Sequence, residues 1–241
     1  MAMTELILSD ITRMGHGFCV IGLERAENGY RSVRPLPPFA DSWPAPFPFH
    51  RGDVIQFDLY PVPVIRPHIE DRRSQGQPRA LRRVSENELA KLLRQAECSA
   101  ILNGLFGCDI HENVRGSGIF VLPGQGQRSI CGCEVNNVRF EIFPDEVRAM
   151  ILLHSGVVLR DFPLVDRDWR NFIDLAIQQM AGANRLQRVQ RFLNSKIAEI
   201  LLSTTDLFAR IGLTRIHNER HWLMLDTLIP LPQTAWLNDL H

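Results

Sequence analysis

A chain of 241 residues, 45% hydrophobic and 22% charged, has the composition of a folded protein of one large domain or two ordinary ones, not of a disordered chain. Its 27 basic and 27 acidic residues cancel to a net charge of zero, which argues against indiscriminate coating of nucleic acid. No apolar run reaches the ~20 residues of a membrane helix, and Met1–Thr12 lacks the basic-then-apolar pattern of an export signal, so a cytoplasmic setting is expected.

The first third reads as strands. Phe18 to Glu24 is nearly all apolar, and Asn28-Gly29 supplies the positive-φ residues of a two-residue hairpin turn. Tyr30 to Pro35 is the return strand. From Pro35 to Pro48 the chain is dense in proline, with Phe39, Trp43, Phe47 and Phe49 interspersed, and is expected to be an extended loop outside the core. Its aromatic rings suit either stacking on bases or covering an open barrel edge. Asp53 to Tyr60 alternates, with Ile55, Phe57 and Leu59 on one face. Pro61, Pro63 and Pro67 then lead into a polar, turn-like segment, His68-Ile69-Glu70-Asp71-Arg72-Arg73.

Ser85 and Glu88 form a capping box ahead of Leu89, Leu92, Leu93 and Ala96, which predicts a short helix to about Glu97. Gly104, Gly107, Gly116 and Gly118 mark an irregular boundary. Strands resume at Gly118–Leu122, through Val138, Phe140 and Ile142, and on either side of a His154-Ser155-Gly156 turn. Asp166 caps a helix bearing Trp169, Phe172, Ile173, Ala176 and Met180, Gly182 stops it, and a second helix starts at Asn184. Leu207–Leu213 and His221–Ile229 close the chain as strands. The order predicts a mostly β (α+β) protein of two small barrels. The first spans residues 1–80, a helical linker 81–115, and the second 116–241 with a helical insertion at about 166–204.

Five cysteines in no disulfide spacing read as reduced thiols. Cys131 and Cys133 form an isolated C-x-C, and a zinc site needs four convergent ligands, so the pair reads as two small side chains on one strand face and no metal or cofactor is expected. Almost every cation is arginine, Lys91 and Lys196 being the only lysines. Arginine is the better fork for phosphates, and a compositional bias of the genome produces the same preference.

The ordered set Phe18-Cys19-Val20-Ile21-Gly22, Arg34-Pro35 and Pro67-His68-Ile69-Glu70-Asp71 resembles the first half of the bacterial dual-OB-domain (DuOB) family. Arg139-Phe140, Pro163-Leu164-Val165-Asp166, Trp169-Arg170 and Ile211-Gly212-Leu213-Thr214-Arg215 resemble its second half. The resemblance implies two OB-like barrels and the handling of nucleic acid or nucleotides in bacterial antiviral defence or DNA modification. Where the family pattern has an aromatic residue two before the Arg-Pro, this chain has Ser32, which offers no ring to stack.

Three functions compete. In a non-catalytic binding module, Arg31, Arg34, Arg66, His68, Arg72, Arg73 and Arg215 contact nucleic acid or a nucleotide-like ligand, and Arg185, Arg188 and Arg191 form a second, helical set. Arg34 and Arg215 equally suit pairing with Asp or Glu to hold the barrels together, and a helical arginine row equally suits a solvated face. In a scaffold subunit, protein partners dock through the 35–50 loop and the tail Thr234–His241, with Trp236. In a metal-assisted hydrolase, the His68-Glu70-Asp71 cluster does the chemistry. The chain has no nucleophile elbow, and Gly124-Gln125-Gly126-Gln127 is no phosphate loop, having no lysine after it.

Overall fold

The computed structural model describes residues 3–15, 17–96, 104–114, 118–203 and 206–231. Within them the protein is mostly β, with two seven-stranded sheets and three helices. The first sheet holds β1 (Met3–Met14), β2 (Gly17–Ala26), β3 (Gly29–Leu36), β4 (Trp43–Pro44), β5 (Asp53–Pro61), β6 (Asp71–Ser74) and β7 (Arg79–Arg83). After α1 (Glu86–Gln95) come β8 (His111–Glu112), β9 (Ile119–Val121), β10 (Ile130–Ile142), β11 (Val147–Leu153) and β12 (Val158–Pro163). Then follow α2 (Arg167–Gln179), α3 (Arg185–Ser203), β13 (Asp206–Leu213) and β14 (His221–Leu231). No helix among the described residues is long and apolar enough to cross a membrane.

In the first sheet β1 pairs both β2 and β5, and β3 pairs β6 in parallel, so the ladder β1-β2-β3-β6-β5 returns to its start. Inside lie Leu6, Leu8, Val20, Val33, Ile55 and Phe57. Gly22 lets β1 and β2 approach, because a Cβ there would sit 2.7 Å from that of Leu6. The first sheet takes in β7, which pairs β5, and so runs to Arg83.

The second sheet runs β12-β11-β10-β13-β14-β9-β8. It also curls, because the chain just past β12 meets β14 through a parallel bridge between Leu164 and Leu225. α2 and α3 join β12 to β13 and bury Trp169, Ile173, Val189, Leu193 and Ile197 against the sheet. β13 pairs only the Ile130–Val135 end of β10. Beyond it, side chains of α3 take over the open edge. Asn194 accepts from the Phe140 amide at 2.8 Å and donates to the Phe140 carbonyl at 3.1 Å, while Gln190 accepts from the Ile142 amide at 3.1 Å. A bare strand edge is thereby satisfied without a further strand.

The two helix caps form as their sequences predict. Ser85 accepts from the Glu88 amide at 3.2 Å, and Asp166 accepts from the amides of Asp168 and Trp169 at 2.8 and 3.1 Å. Leu89, Leu92 and Leu93 of α1 and its C-cap Ala96 lie between Ile7, Leu23 and Val54 of one sheet and Phe208 and Ile229 of the other. The linking helix is therefore a wedge that shares its core with both sheets.

Two segments differ from expectation. The proline-rich loop is not outside the core: Trp43 and Phe47 are buried at 3% and 7% exposure. Trp43 donates its indole N–H to the Pro35 carbonyl at 2.6 Å, and the pair plugs the end of the first sheet. Phe39 alone of the loop aromatics is fully exposed, at 100%. The polar segment His68–Arg73 begins as a turn, through Glu70, but a buried one: His68, Glu70 and Asp71 are buried, and Asp71 begins β6.

Candidate functional site

The two sheets face each other across a seam of charged and polar side chains, and two of the arginines singled out by sequence, Arg34 and Arg215, meet on it. Arg34, from β3, is 7% exposed. Its Nη1 donates to Asp71 Oδ1 at 3.2 Å and to His68 Nδ1 at 3.1 Å, and its Nη2 donates to Ser129 Oγ, across the seam, at 2.8 Å. Since guanidinium cannot accept, Nδ1 of His68 is the acceptor and the ring proton sits on Nε2. Burial, then the nearby Arg34 and Arg215 cations, push His68 far below the usual histidine range, so it stays neutral. Glu70 takes the amide and hydroxyl of Ser129 at 2.7 and 2.8 Å, and Arg215 donates to Asp71 Oδ2 at 2.5 Å. The His68-Glu70-Asp71 cluster is thus engaged in a clasp between the sheets.

Further along, Arg210 of β13 is wholly buried and donates to Asp10 Oδ2 at 3.2 Å and Ser32 Oγ at 2.8 Å. Ser32, the small residue before the Arg-Pro, leaves room for this guanidinium. Asp166 is a node of three elements: Oδ1 caps α2, while Oδ2 accepts from Arg51 at 2.7 Å and from the Leu228 amide at 3.3 Å. Burial raises its carboxyl to about 6 although Arg51 opposes the shift. Arg167 donates to the Phe49 carbonyl at 2.9 Å and Arg13 to Asp174 at 2.7 Å, both across the seam. Arginine suits these positions because one planar fork reaches several acceptors at once.

The remaining sequence candidates are scattered. Arg31 is exposed and donates to Glu24 at 2.6 Å. Arg66 is exposed on the loop before β6. Arg72 donates to its neighbours' carbonyls, Ile69 and Asp71, at 3.0 and 2.7 Å, and Arg73 donates to those of Pro37 and Ala40 at 2.8 and 2.9 Å. Arg185, Arg188 and Arg191 lie on the exposed side of α3. Cys131 and Cys133 are buried in β10, and no group of three or more His, Cys, Asp or Glu among the described residues is placed to hold a metal. The tail from 232 to 241, with Trp236, lies outside the described residues.

A second feature has no counterpart among the sequence candidates. The outer face of β10, β11 and β12 carries a shallow groove of about 270 Å³, lined by Asn137, Arg139, Met150, Leu152, Val158 and Arg160. Register explains it. Asn137 faces Leu152, which faces Val158, and Arg139 faces Met150. The floor is therefore apolar, with one arginine on each outer strand. Arg139 and Arg160 are exposed, and neither forms an ion pair among the described residues. Their neighbour Arg148 differs, being held by Glu146 at 2.7 Å and Asp161 at 2.5 Å. No family model, no curated protein and no solved structure matches the chain.

Proposed function

We propose that the protein is a non-catalytic module of two OB-type barrels that binds single-stranded nucleic acid across the β10–β12 groove. The observation that carries this reading is the pair of uncommitted arginines, Arg139 and Arg160, set on either side of an apolar floor. Phosphates sit on guanidinium forks and bases lie against apolar side chains in such a groove. The strand order supports the barrel type. Each sheet contains a circuit of five strands in which the third meets the fifth in parallel, through β3 and β6 in one and the Leu164–Leu225 bridge in the other. In the second circuit the helices fall between the third and fourth strands. An OB barrel takes its strand on the face of its second and third strands, which here are β11 and β12. The bacterial defence or DNA-modification setting implied by the family resemblance belongs to the same proposal.

Fluorescence anisotropy with a labelled oligothymidylate tests it. Binding is expected at about 50 mM salt and to weaken steeply as salt rises, since each phosphate contact on a single strand adds about 0.7 to the log–log slope. Arg139→Ala with Arg160→Ala is expected to weaken binding roughly tenfold and to flatten the slope by about 1.4. Absence of binding at low salt, or a double variant indistinguishable from wild type, would overturn the proposal.

A further inference from the structure

One strand of the first sheet stands in solvent on both of its faces. All five residues of β7, Arg79-Ala80-Leu81-Arg82-Arg83, are exposed, although successive side chains of a strand point to opposite faces. None of them belongs to a core cluster among the described residues, so apolar packing does not hold β7 in place. Backbone bonds do. Besides the pairing with β5, the chain is tied just before β7 by the Gln75 amide to the Asp58 carbonyl and just after it by the Val84 amide to the Gly52 carbonyl, both at 2.9 Å. β7 is the last strand of its ladder, and among the described residues no element pairs its other edge. Such an edge presents a row of N–H and C=O groups set to receive another strand.

The edge is also strongly cationic in a chain of zero net charge. From Arg72 to Ser85 the sequence holds five arginines and no acid. Arg79 and Arg82 form no ion pair or hydrogen bond among the described residues. Arg83 is loosely held: its Nη2 donates to the Arg51 carbonyl at 3.3 Å, its Nε lies 3.9 Å from Asp53, and 60% of its side chain remains in solvent. The register with β5 slips between Val54 and Ile55, so that Leu81 has no partner there and is 41% exposed. A bulge of this kind re-aims a side chain, and here it adds one apolar contact to the row of cations.

We propose that β7 docks an extended acidic segment of a partner protein, which adds to the sheet as one more strand and sets its carboxylates against Arg79, Arg82 and Arg83. Main-chain hydrogen bonds supply the affinity in this mode, and side-chain contacts supply the specificity. A second copy of the chain does not fit, because pairing β7 with β7 would bring two arginine rows together. Single-stranded nucleic acid fits less well. Its phosphates would suit the arginines but leave the backbone row unpaired, and β7 has no aromatic ring to take a base. The site lies on the other sheet from the β10–β12 groove, and the proposal does not depend on that reading.

Fluorescence anisotropy of the full chain with a short labelled peptide of alternating glutamate and valine tests it, at about 50 mM salt so that charge is little screened. The peptide is expected to bind, and N-methylation of its backbone amides is expected to weaken it roughly tenfold or more, since the strand can then no longer pair. Arg79→Glu with Arg82→Glu is expected to lose the glutamate peptide and to gain its lysine–valine counterpart, with native far-ultraviolet circular dichroism. Both side chains are exposed, so the change leaves the core untouched. No binding by wild type, equal binding of the N-methylated peptide, or a folded charge-reversed variant that keeps the glutamate peptide would overturn the proposal. Displacement of the labelled peptide by oligothymidylate as readily as by unlabelled peptide would also overturn it, and would mark β7 as a nucleic-acid surface instead.

Discussion

Replacing Arg210 by alanine is expected to lower the free energy of unfolding by about 3–5 kcal/mol, the cost of leaving a buried charge without its partner. Arg210 and Asp10 both have side chains at 0% exposure, and the guanidinium also serves Ser32. Truncation leaves Asp10, among the described residues, with Ser9 as its one hydrogen-bond donor, at 2.7 Å. Asp10→Asn combined with Arg210→Met is expected to lose much less than the sum of the single changes, because neither variant group is then charged. Urea unfolding at neutral pH checks both. A loss under 1 kcal/mol in Arg210→Ala would mean that the seam is open to water and its charges are screened.

The second large effect is pH dependence. Asp226 is raised from its usual 3.8 to about 8, first by burial and then by Asp10, while Arg34 and Arg210 pull the other way. A carboxyl whose folded pKa lies above its unfolded value binds its proton more tightly in the native state. Its stabilising contribution is therefore complete below the unfolded pKa and is lost as pH rises through the folded one. Between pH 5 and pH 9 that loss is on the order of 4 kcal/mol, at about 1.4 kcal/mol per unit of pKa shift. Asp226→Asn cannot ionise. The stability difference between variant and wild type should accordingly swing in favour of the variant by about that amount across the same range, measured by chemical unfolding at each pH. Asp166 and His68 also titrate below neutrality, but they contribute to both proteins and cancel in the difference.

What is legible in the chain is whatever depends on neighbours in sequence. The caps at Ser85 and Asp166 and the alternation of Ile55 and Phe57 are local devices, and each occurs where the residues predict it, whereas α2 ends at Gln179, before Met180 and the expected stop at Gly182. β1 escapes the same reading. Ser9, Asp10 and Thr12 sit in it fully buried because its outward side meets the other sheet rather than water. Alternation of apolar and polar residues marks a strand with one wet face, and β1 has none over its middle. The arginines mislead for a related reason. Arg34 and Arg215 have the same composition and local context whether they face phosphate or an aspartate from a distant element, and only the packing of the two sheets decides. The groove is hidden differently. Arg139 is visible as the outward residue between Val138 and Phe140, but its pairing with Arg160 across Met150 depends on the register of three strands. That register is non-local.

The most direct test of the account is to locate the bound strand. A single strand carrying 4-thiothymidine is photo-crosslinked to the full protein and the adducts are read by peptide mass spectrometry. The account predicts adducts on the peptides of β10, β11 and β12, around Arg139, Met150 and Val158, with none on Arg66–Ser74 of the clasp. Adducts concentrated on the Arg66–Ser74 segment, with the β10–β12 face unmodified, would contradict it.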